Sequence, residues 1–276
     1  MVILIPIFKQ KDIEINYIME GAGEPLVLVH GFGTKLQGWH FQIEFFKKLM
    51  KVIALDNRGV GFSSRPNYPY SMDMFVEDLH NLLAYLVINQ KINLCGISMG
   101  GMIAQHYALK YPNELKTLIL CATSEKLGKG AHKVIDGLRE IDNLSLEEKM
   151  FIMFPYIVSR KFEKKLREDK QLLDSIKEDI VFITPCKNPT EIKDYENQSA
   201  AVENHDTSDL LVKIKTPTLI LGGNKDRLIP IFHQQTLHEK IPNSKLEIIK
   251  GCGHAFTIED PNQVNELIWD FIKQHS

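Results

Sequence analysis

Ser98 lies in Gly96-Ile97-Ser98-Met99-Gly100, between the apolar run that begins at Ile92 and a stretch carrying Met102, Ile103, Ala104 and Ala108. Glycine two residues on either side of a serine, where a strand passes into a helix, is the spacing of a nucleophile elbow. The serine occupies a strained turn, and bulk at Gly96 or Gly100 would collide with neighbouring backbone. The following helix points its positive end at the reacting centre. Two more glycine-bearing turns, His30-Gly31-Phe32-Gly33 and Asp56-Asn57-Arg58-Gly59-Val60-Gly61, also follow apolar runs. Later in the chain an acid, Asp226, falls in the turn from Gly222 to Pro230, and His254 falls in Gly251-Cys252-Gly253-His254.

The elements that must position these groups are legible from periodicity. Ile13 to Met19 alternates as a half-buried antiparallel strand. Leu26–Val29, Val52–Leu55, the run before Ser98, Leu115–Ala122 and Pro217–Gly222 are continuous apolar runs, the pattern of strands covered on both faces. Between them Trp39 to Met50 and Ser71 to Ile88 carry helical stripes. Asp73 and Glu77 stand early in the second, where acids suit the dipole. Phe232 to Ile241 and the stretch from Asp260-Pro261 to Lys273 are further helices, with Lys245–Ile249 as a strand between them. Strand, helix, strand, helix predicts an α/β fold: a mostly parallel central sheet of about eight strands with helices on both faces. Ligands then bind beyond the carboxyl ends of the strands, where the glycine-rich turns meet. Residues 124–205 read differently, as an all-helical insertion with balanced charges. A capping box is expected at Ser145–Glu148. Met150, Phe151, Met153, Phe154, Tyr156 and Phe162 form an apolar cluster there, either a small helical core or the underside of a lid that lines a pocket. The chain divides accordingly into 1–123, the insertion 124–205 and 206–276.

Thirty-three basic against 35 acidic residues give a net charge of −2, so no nucleic-acid footprint is present. No run approaches the ~18 apolar residues of a membrane span. The apolar start, Met1 to Phe8, lacks a basic leader and a cleavage site and reads as a first strand. Cys95, Cys121, Cys186 and Cys252 are scattered without a paired spacing, which suits reduced core cysteines in a cytoplasmic protein. No His/Asp cluster has metal-ligand spacing, so no metal or other cofactor is expected.

Four motifs together, His30–Gly33, Asp56-x-Arg58-Gly-x-Gly61-x-Ser63, Gly96–Gly101, and the Asp226 and His254 turns, resemble the α/β-hydrolase fold superfamily, in its capped carboxylesterase and 3-oxoadipate enol-lactonase-like branch. The resemblance covers nearly the whole chain, and the order Ser, Asp, His is the one this family uses. It implies a nucleophile at Ser98, which needs an adjacent base. His254 would be that base, and Asp226 would hold its imidazole in the right tautomer. The backbone N–H groups of Phe32 and Met99 would form an oxyanion hole. Glu259 and Asp260 are the alternatives to Asp226, the latter also suited to capping a helix before Pro261. His30 is the alternative base, and Arg58 either braces its loop or binds a substrate carboxylate. Phe32, Phe151, Phe154 and Tyr156 are the candidate pocket residues, and the insertion would be the cap.

Serine at position 98 excludes the relatives of this fold that attack through aspartate, the haloalkane dehalogenases and epoxide hydrolases. What the resemblance leaves is a carboxylesterase acting on a small-molecule ester or lactone with small-to-medium apolar acyl or aryl groups. Enol-lactonase, carbon–carbon bond hydrolase and cofactor-free perhydrolase remain as alternatives. A reading from another class is a small-molecule receptor on the same fold, distinguishable because an enzyme cycles whereas a receptor gives one slow burst.

Overall fold

The runs Pro25–Val29 (β3), Lys51–Leu55 (β4), Ile92–Ile97 (β5), Leu115–Cys121 (β6) and Thr218–Gly223 (β7) are buried along nearly their whole length. Their side chains alternate between two faces, and each face is covered by helices. In the computed structural model, which describes residues 6–11, 13–127, 137, 144, 146–180 and 191–275, three more strands complete the sheet. They are Ile7–Gln10 (β1), Ile13–Glu20 (β2) and Ser244–Ile249 (β8). Among the described residues the sheet has eight strands in the order β1-β2-β4-β3-β5-β6-β7-β8. β1 and β2 pair antiparallel at one edge; every pairing from β4 through β8 is parallel.

On one face Val27, Val29, Ile53, Leu55, Leu94, Leu118, Leu120 and Ile220 pack with Phe75 and Leu79 of α2 (Met72–Tyr85) and Met102 and Ile103 of α3 (Met99–Lys110). On the other face Leu26, Leu28, Val52, Ala54, Ile97, Ile119 and Leu219 pack with Phe46 of α1 (His40–Phe46). Val264 and Ile268 of the C-terminal helix Pro261–Lys273 share that core. The period-2 alternation of the strands is what sorts these residues into two cores. Register brings Val29 beside both Leu55 and Gly96, so the turns after β3, β4 and β5 emerge together at one edge.

Several element ends differ from the sequence expectation, among them the helix expected to run to Met50, which stops at Phe46. The helix expected from Trp39 begins at His40, behind a 3₁₀ turn at Leu36–Trp39, because Leu36 N–H is held by the Asp56 carboxylate. The α2 helix starts as expected, with the Ser71 hydroxyl accepting from Met74 N–H, but stops at Tyr85. Val87 takes φ 55°, which ends the helical course before Ile88. The first strand begins at Ile7, later than Met1; residues 1–5, Ser145 of the expected capping box and Cys186 lie outside the described residues.

Between β6 and β7 the described elements are all helical: α4 (Leu146–Ile157), α5 (Arg160–Glu168), α6 (Lys170–Ile180) and α7 (Ile192–Glu203). After β7 come α8 (Phe232–Lys240), then a short α9 (Phe256–Glu259) that periodicity did not reveal, and α10 (Pro261–Lys273). Met150, Phe154, Ile157, Val158, Leu166 and Leu173 form a third core that closes on Ala255 and Ile258 around α9. Among the described residues no helix is long and apolar enough to cross a membrane.

Candidate active site

Ser98 follows β5 directly and takes φ 56°, ψ −123°, a conformation that costs a non-glycine residue of the order of 1–3 kcal/mol and persists only when its surroundings over-determine it. They do so here. Ser98 N–H donates to Cys121 O at 2.9 Å, and Ser98 O accepts from Thr123 Oγ1 at 2.8 Å and Gly101 N at 2.9 Å. The flanking glycines are required by contact. A Cβ on Gly96 would sit 2.2 Å from Gly100 O, and one on Gly100 would sit 2.1 Å from Val29 O.

His254 and Asp226 come from turns beyond β8 and β7, 28 residues apart in sequence, and meet with His254 Nδ1 2.7 Å from Asp226 Oδ2. The second Asp226 oxygen accepts from Leu228 N and Ile229 N, each at 2.8 Å, so the carboxylate is fixed by its own turn. A carboxylate accepts, so the proton of His254 lies on Nδ1 and leaves the Nε2 lone pair free. Both side chains are buried. His254 and Ser98 line one cavity of about 40 Å³, with His30, Phe32, Thr34, Ile97, Ile157, Ala255 and Ile258 around them. Phe32 follows β3 in the His30 turn, and Met99 opens α3. Among the described residues neither backbone N–H is engaged by a protein acceptor.

The other candidates are placed as follows. Glu259 Oε1 accepts from Ser159 N at 2.9 Å and Gly253 N at 2.8 Å and so braces the histidine turn, while Nδ1 of the imidazole goes to Asp226. Burial raises the Glu259 carboxyl, a shift the Ser159 and Gly253 donors oppose. Asp260 accepts from Gln263 N–H and caps α10. His30 takes the Gly31 N–H on Nδ1 at 2.7 Å, and burial pushes its imidazole down to about 3, with the Gly38 carbonyl opposing. It is neutral with its lone pair already occupied, which is unsuited to a base. Arg58 forms a two-pronged pair with Asp78, at 2.6 and 2.7 Å, and so braces its loop. Cys252 is pushed up to about 12 by burial and by the nearby Glu259 and Asp260, too high for a competing thiolate.

Of the four pocket candidates, Phe32 lines this cavity and the three from α4 do not. Phe154 is fully buried in the helical core, Tyr156 is exposed to solvent, and Phe151 packs on that core beneath the Arg167 guanidinium, 4.4 Å from its ring centre. Docking of α4 through Ala255 N–H to Ile157 O, at 2.9 Å, turns Ile157 toward Ser98 instead. The sequence reading missed Ile157 because it extends the same stripe without an aromatic signal. It also missed Gln198 of α7, whose amide reaches Gly33 N.

Comparison with known proteins gives a consistent result. The family model described as alpha/beta hydrolase fold matches residues 24–261. The 3-oxoadipate enol-lactonase 2 of Acinetobacter baylyi is 27% identical over 96% of this chain and 95% of its own. The poly(3-hydroxyalkanoate) depolymerase of Ectopseudomonas oleovorans is 30% identical over 91% and 84%. Among solved structures, a thermophilic esterase from Thermogutta terrifontis superposes with a TM-score of 0.82 at 26% identity, covering 95% of this chain and 94% of that one.

Proposed function

The chain belongs to the α/β-hydrolase-fold family, and from that premise we propose that it is a serine hydrolase cleaving carboxylic esters of small-to-medium apolar acyl or aryl groups. The observation that carries the reading is the 2.7 Å hydrogen bond between Asp226 and His254, whose ring lines the same cavity as Ser98. Ser98 Oγ attacks the ester carbonyl carbon and gives its proton to His254 Nε2. Asp226 stabilises the imidazolium without taking the proton. The carbonyl oxygen, now carrying the charge, accepts from Phe32 N–H and Met99 N–H, each such donor being worth roughly 3–4 kcal/mol in the transition state. The carbon–oxygen bond breaks as the proton passes from Nε2 to the leaving alcohol. Water then repeats the sequence on the acyl-serine, releasing the acid and restoring Ser98.

Neutral apolar esters are favoured over substrates carrying a carboxylate. The described lining offers Ile97, Ile157, Ala255, Ile258 and a neutral His30, and no cation among the described residues. Arg58, the sequence candidate for a substrate carboxylate, is committed to Asp78. A diketone acid, or an enol-lactone that also bears a free carboxylate, would bring a charge into that lining uncompensated. The Acinetobacter baylyi relative keeps the lactonase reading as the alternative. Residues 124–205 act as a cap in this reading: Ile157 enters the cavity from α4 and the helical core closes over α9, which keeps water from the oxyanion. Cys95 and Cys121, whose sulfurs lie 4.0 Å apart as free thiols, suit the cytoplasm.

A panel of p-nitrophenyl esters, an enol-lactone and a diketone acid, with a fluorophosphonate to label the nucleophile, tests the proposal. Multiple turnovers on short esters and labelling abolished by Ser98→Ala are expected. A single burst without turnover, or preferred turnover of the diketone acid, would overturn it.

A further inference from the structure

Gln198 stands in the middle of α7, far in sequence from every motif, yet both atoms of its side-chain amide are engaged. Its Oε1 accepts from Gly33 N at 2.8 Å and its Nε2 donates to Arg58 O at 2.8 Å. The residue is 1% exposed. One amide from between β6 and β7 therefore ties the turn after β3 to the turn after β4. Three residues earlier on the same helix, the Tyr195 ring packs on the Phe32 ring with centroids 5.7 Å apart.

The turn that Gln198 holds is intrinsically free to move. Gly31 and Gly33 flank Phe32, and Gly33 takes φ 65°. Rotation of the peptides around Phe32 would turn its N–H away from the cavity without disturbing β3. Local bonds oppose this: Thr34 N to Gly31 O at 3.3 Å and Thr34 Oγ1 to Phe32 O at 3.1 Å. Both are long and lie within the turn itself. The Gln198 bond is shorter, buried and anchored outside it, so it fixes the Phe32–Gly33 peptide against an external frame.

We propose that Gln198 is a positioning residue for ester hydrolysis, holding the Phe32 N–H toward the developing oxyanion and so making the helical segment part of the oxyanion hole's support. This rests on the serine-hydrolase reading above. A hole that is misaligned part of the time lowers transition-state stabilisation while leaving ester binding alone, so the effect belongs in kcat.

The test uses the full chain with Gln198→Met, which keeps the side chain's length and removes both hydrogen bonds. The expected result is a fall in kcat of about 10- to 100-fold, less than the ~10²–10³ that follows removal of an oxyanion donor outright, with KM for a short ester unchanged. A trifluoromethyl ketone, whose adduct with Ser98 carries an oxyanion, should lose affinity by the same factor. Gln198→Glu, whose protonated carboxyl offers the same acceptor and donor, should recover part of the loss as pH is lowered. Asn197→Ala removes a neighbouring bond of α7, to Pro66 O at 3.3 Å, and should keep kcat and ketone affinity. Wild-type kcat and ketone affinity in Gln198→Met would overturn the assignment, as would a rise in KM with kcat intact. Equal losses in Asn197→Ala, or failure of both Gln198 variants to fold, would make the contact merely structural and overturn it too. Fluorophosphonate labelling of the wild type, lost in Ser98→Ala, reads the serine mechanism separately; absence of labelling would sink that reading rather than this contact alone.

Discussion

Two carboxylates stand near His254, and their partners separate them. Asp226 Oδ2 meets Nδ1 at 2.7 Å, whereas Glu259 Oε1 is occupied by the N–H groups of Ser159 and Gly253. Asp226→Asn should therefore lower kcat by ~10⁴, because an amide selects the wrong imidazole tautomer, while the melting temperature changes little. Glu259→Gln should keep most of kcat, because a glutamine Oε1 can still accept from the Ser159 and Gly253 N–H groups that hold the turn. Measuring kcat at saturating ester alongside a thermal melt for each variant decides this, and a larger kcat loss in Glu259→Gln would reverse the assignment. Residue types were readable in the sequence here because backbone geometry restricts them. Only glycine fits at 96 and 100, where a Cβ would meet backbone at 2.2 and 2.1 Å. Gln198 carried no such signal, since a glutamine inside a helix is ordinarily a solvated surface residue.

At the scale of elements, α4 shows what periodicity can and cannot deliver. Of the apolar cluster expected here, Met150, Phe151, Met153, Phe154 and Tyr156 fall on this one helix; Phe154 is fully enclosed whereas Tyr156 is exposed. Which end of the stripe meets the cavity depends on how the helix docks, through Ala255 N–H to Ile157 O and Gly253 against the backbone of Ile157 and Val158. Those partners lie about a hundred residues away in sequence, beyond any local pattern. The short α9 was hidden for the same reason: four residues cannot display a helical period. Two outcomes follow for variants of this helix. Ile157→Ala should shift preference toward longer acyl chains, in graded fashion, because each methylene of pocket is worth only ~1–3 kcal/mol. Phe154→Ala should cost about 3–5 kcal/mol of stability, whereas Tyr156→Ala, exposed, should leave the chain-length profile and the melt unchanged. The measurement is kcat/KM from acetate to octanoate with a melt for each. A wild-type profile in a folded Ile157→Ala would place the acyl group elsewhere.

For the molecule as a whole, the alternation of buried runs and helical stripes was enough to give the eight-stranded sheet and the edge at which the turns meet. What it could not give is the set of long-range polar contacts, among them the pairing of buried His205 with half-buried His106 beside the connections of the helical segment. His205 Nε2 lies 3.0 Å from Ser124 O, which can only accept, so Nδ1 takes the proton of His106 Nε2 at 3.1 Å. Burial pushes His205 down to about 4, and His30, in the turn after β3, to about 3. Both bind a proton more readily unfolded, near pH 6.5, than folded. Their stabilising contribution is thus complete above pH 6.5 and is lost as pH falls toward the folded values, of the order of 2 kcal/mol each by pH 5. Asp56, Asp78 and Glu259, whose carboxyls burial raises, act with the opposite sign, since the folded state takes up their protons first. The histidines therefore dominate near pH 5–6 only if the carboxyls are still ionised there, and a single substitution separates the two groups. Gln at 205 can donate to Ser124 O and accept from His106 without binding a proton. His205→Gln should match the wild-type melting temperature at pH 7.5 and fall less steeply than wild type between pH 6.5 and 4. Parallel curves for the two proteins across that range would mean that acid sensitivity comes from His30, or from His106, whose imidazole burial also lowers, and not from His205.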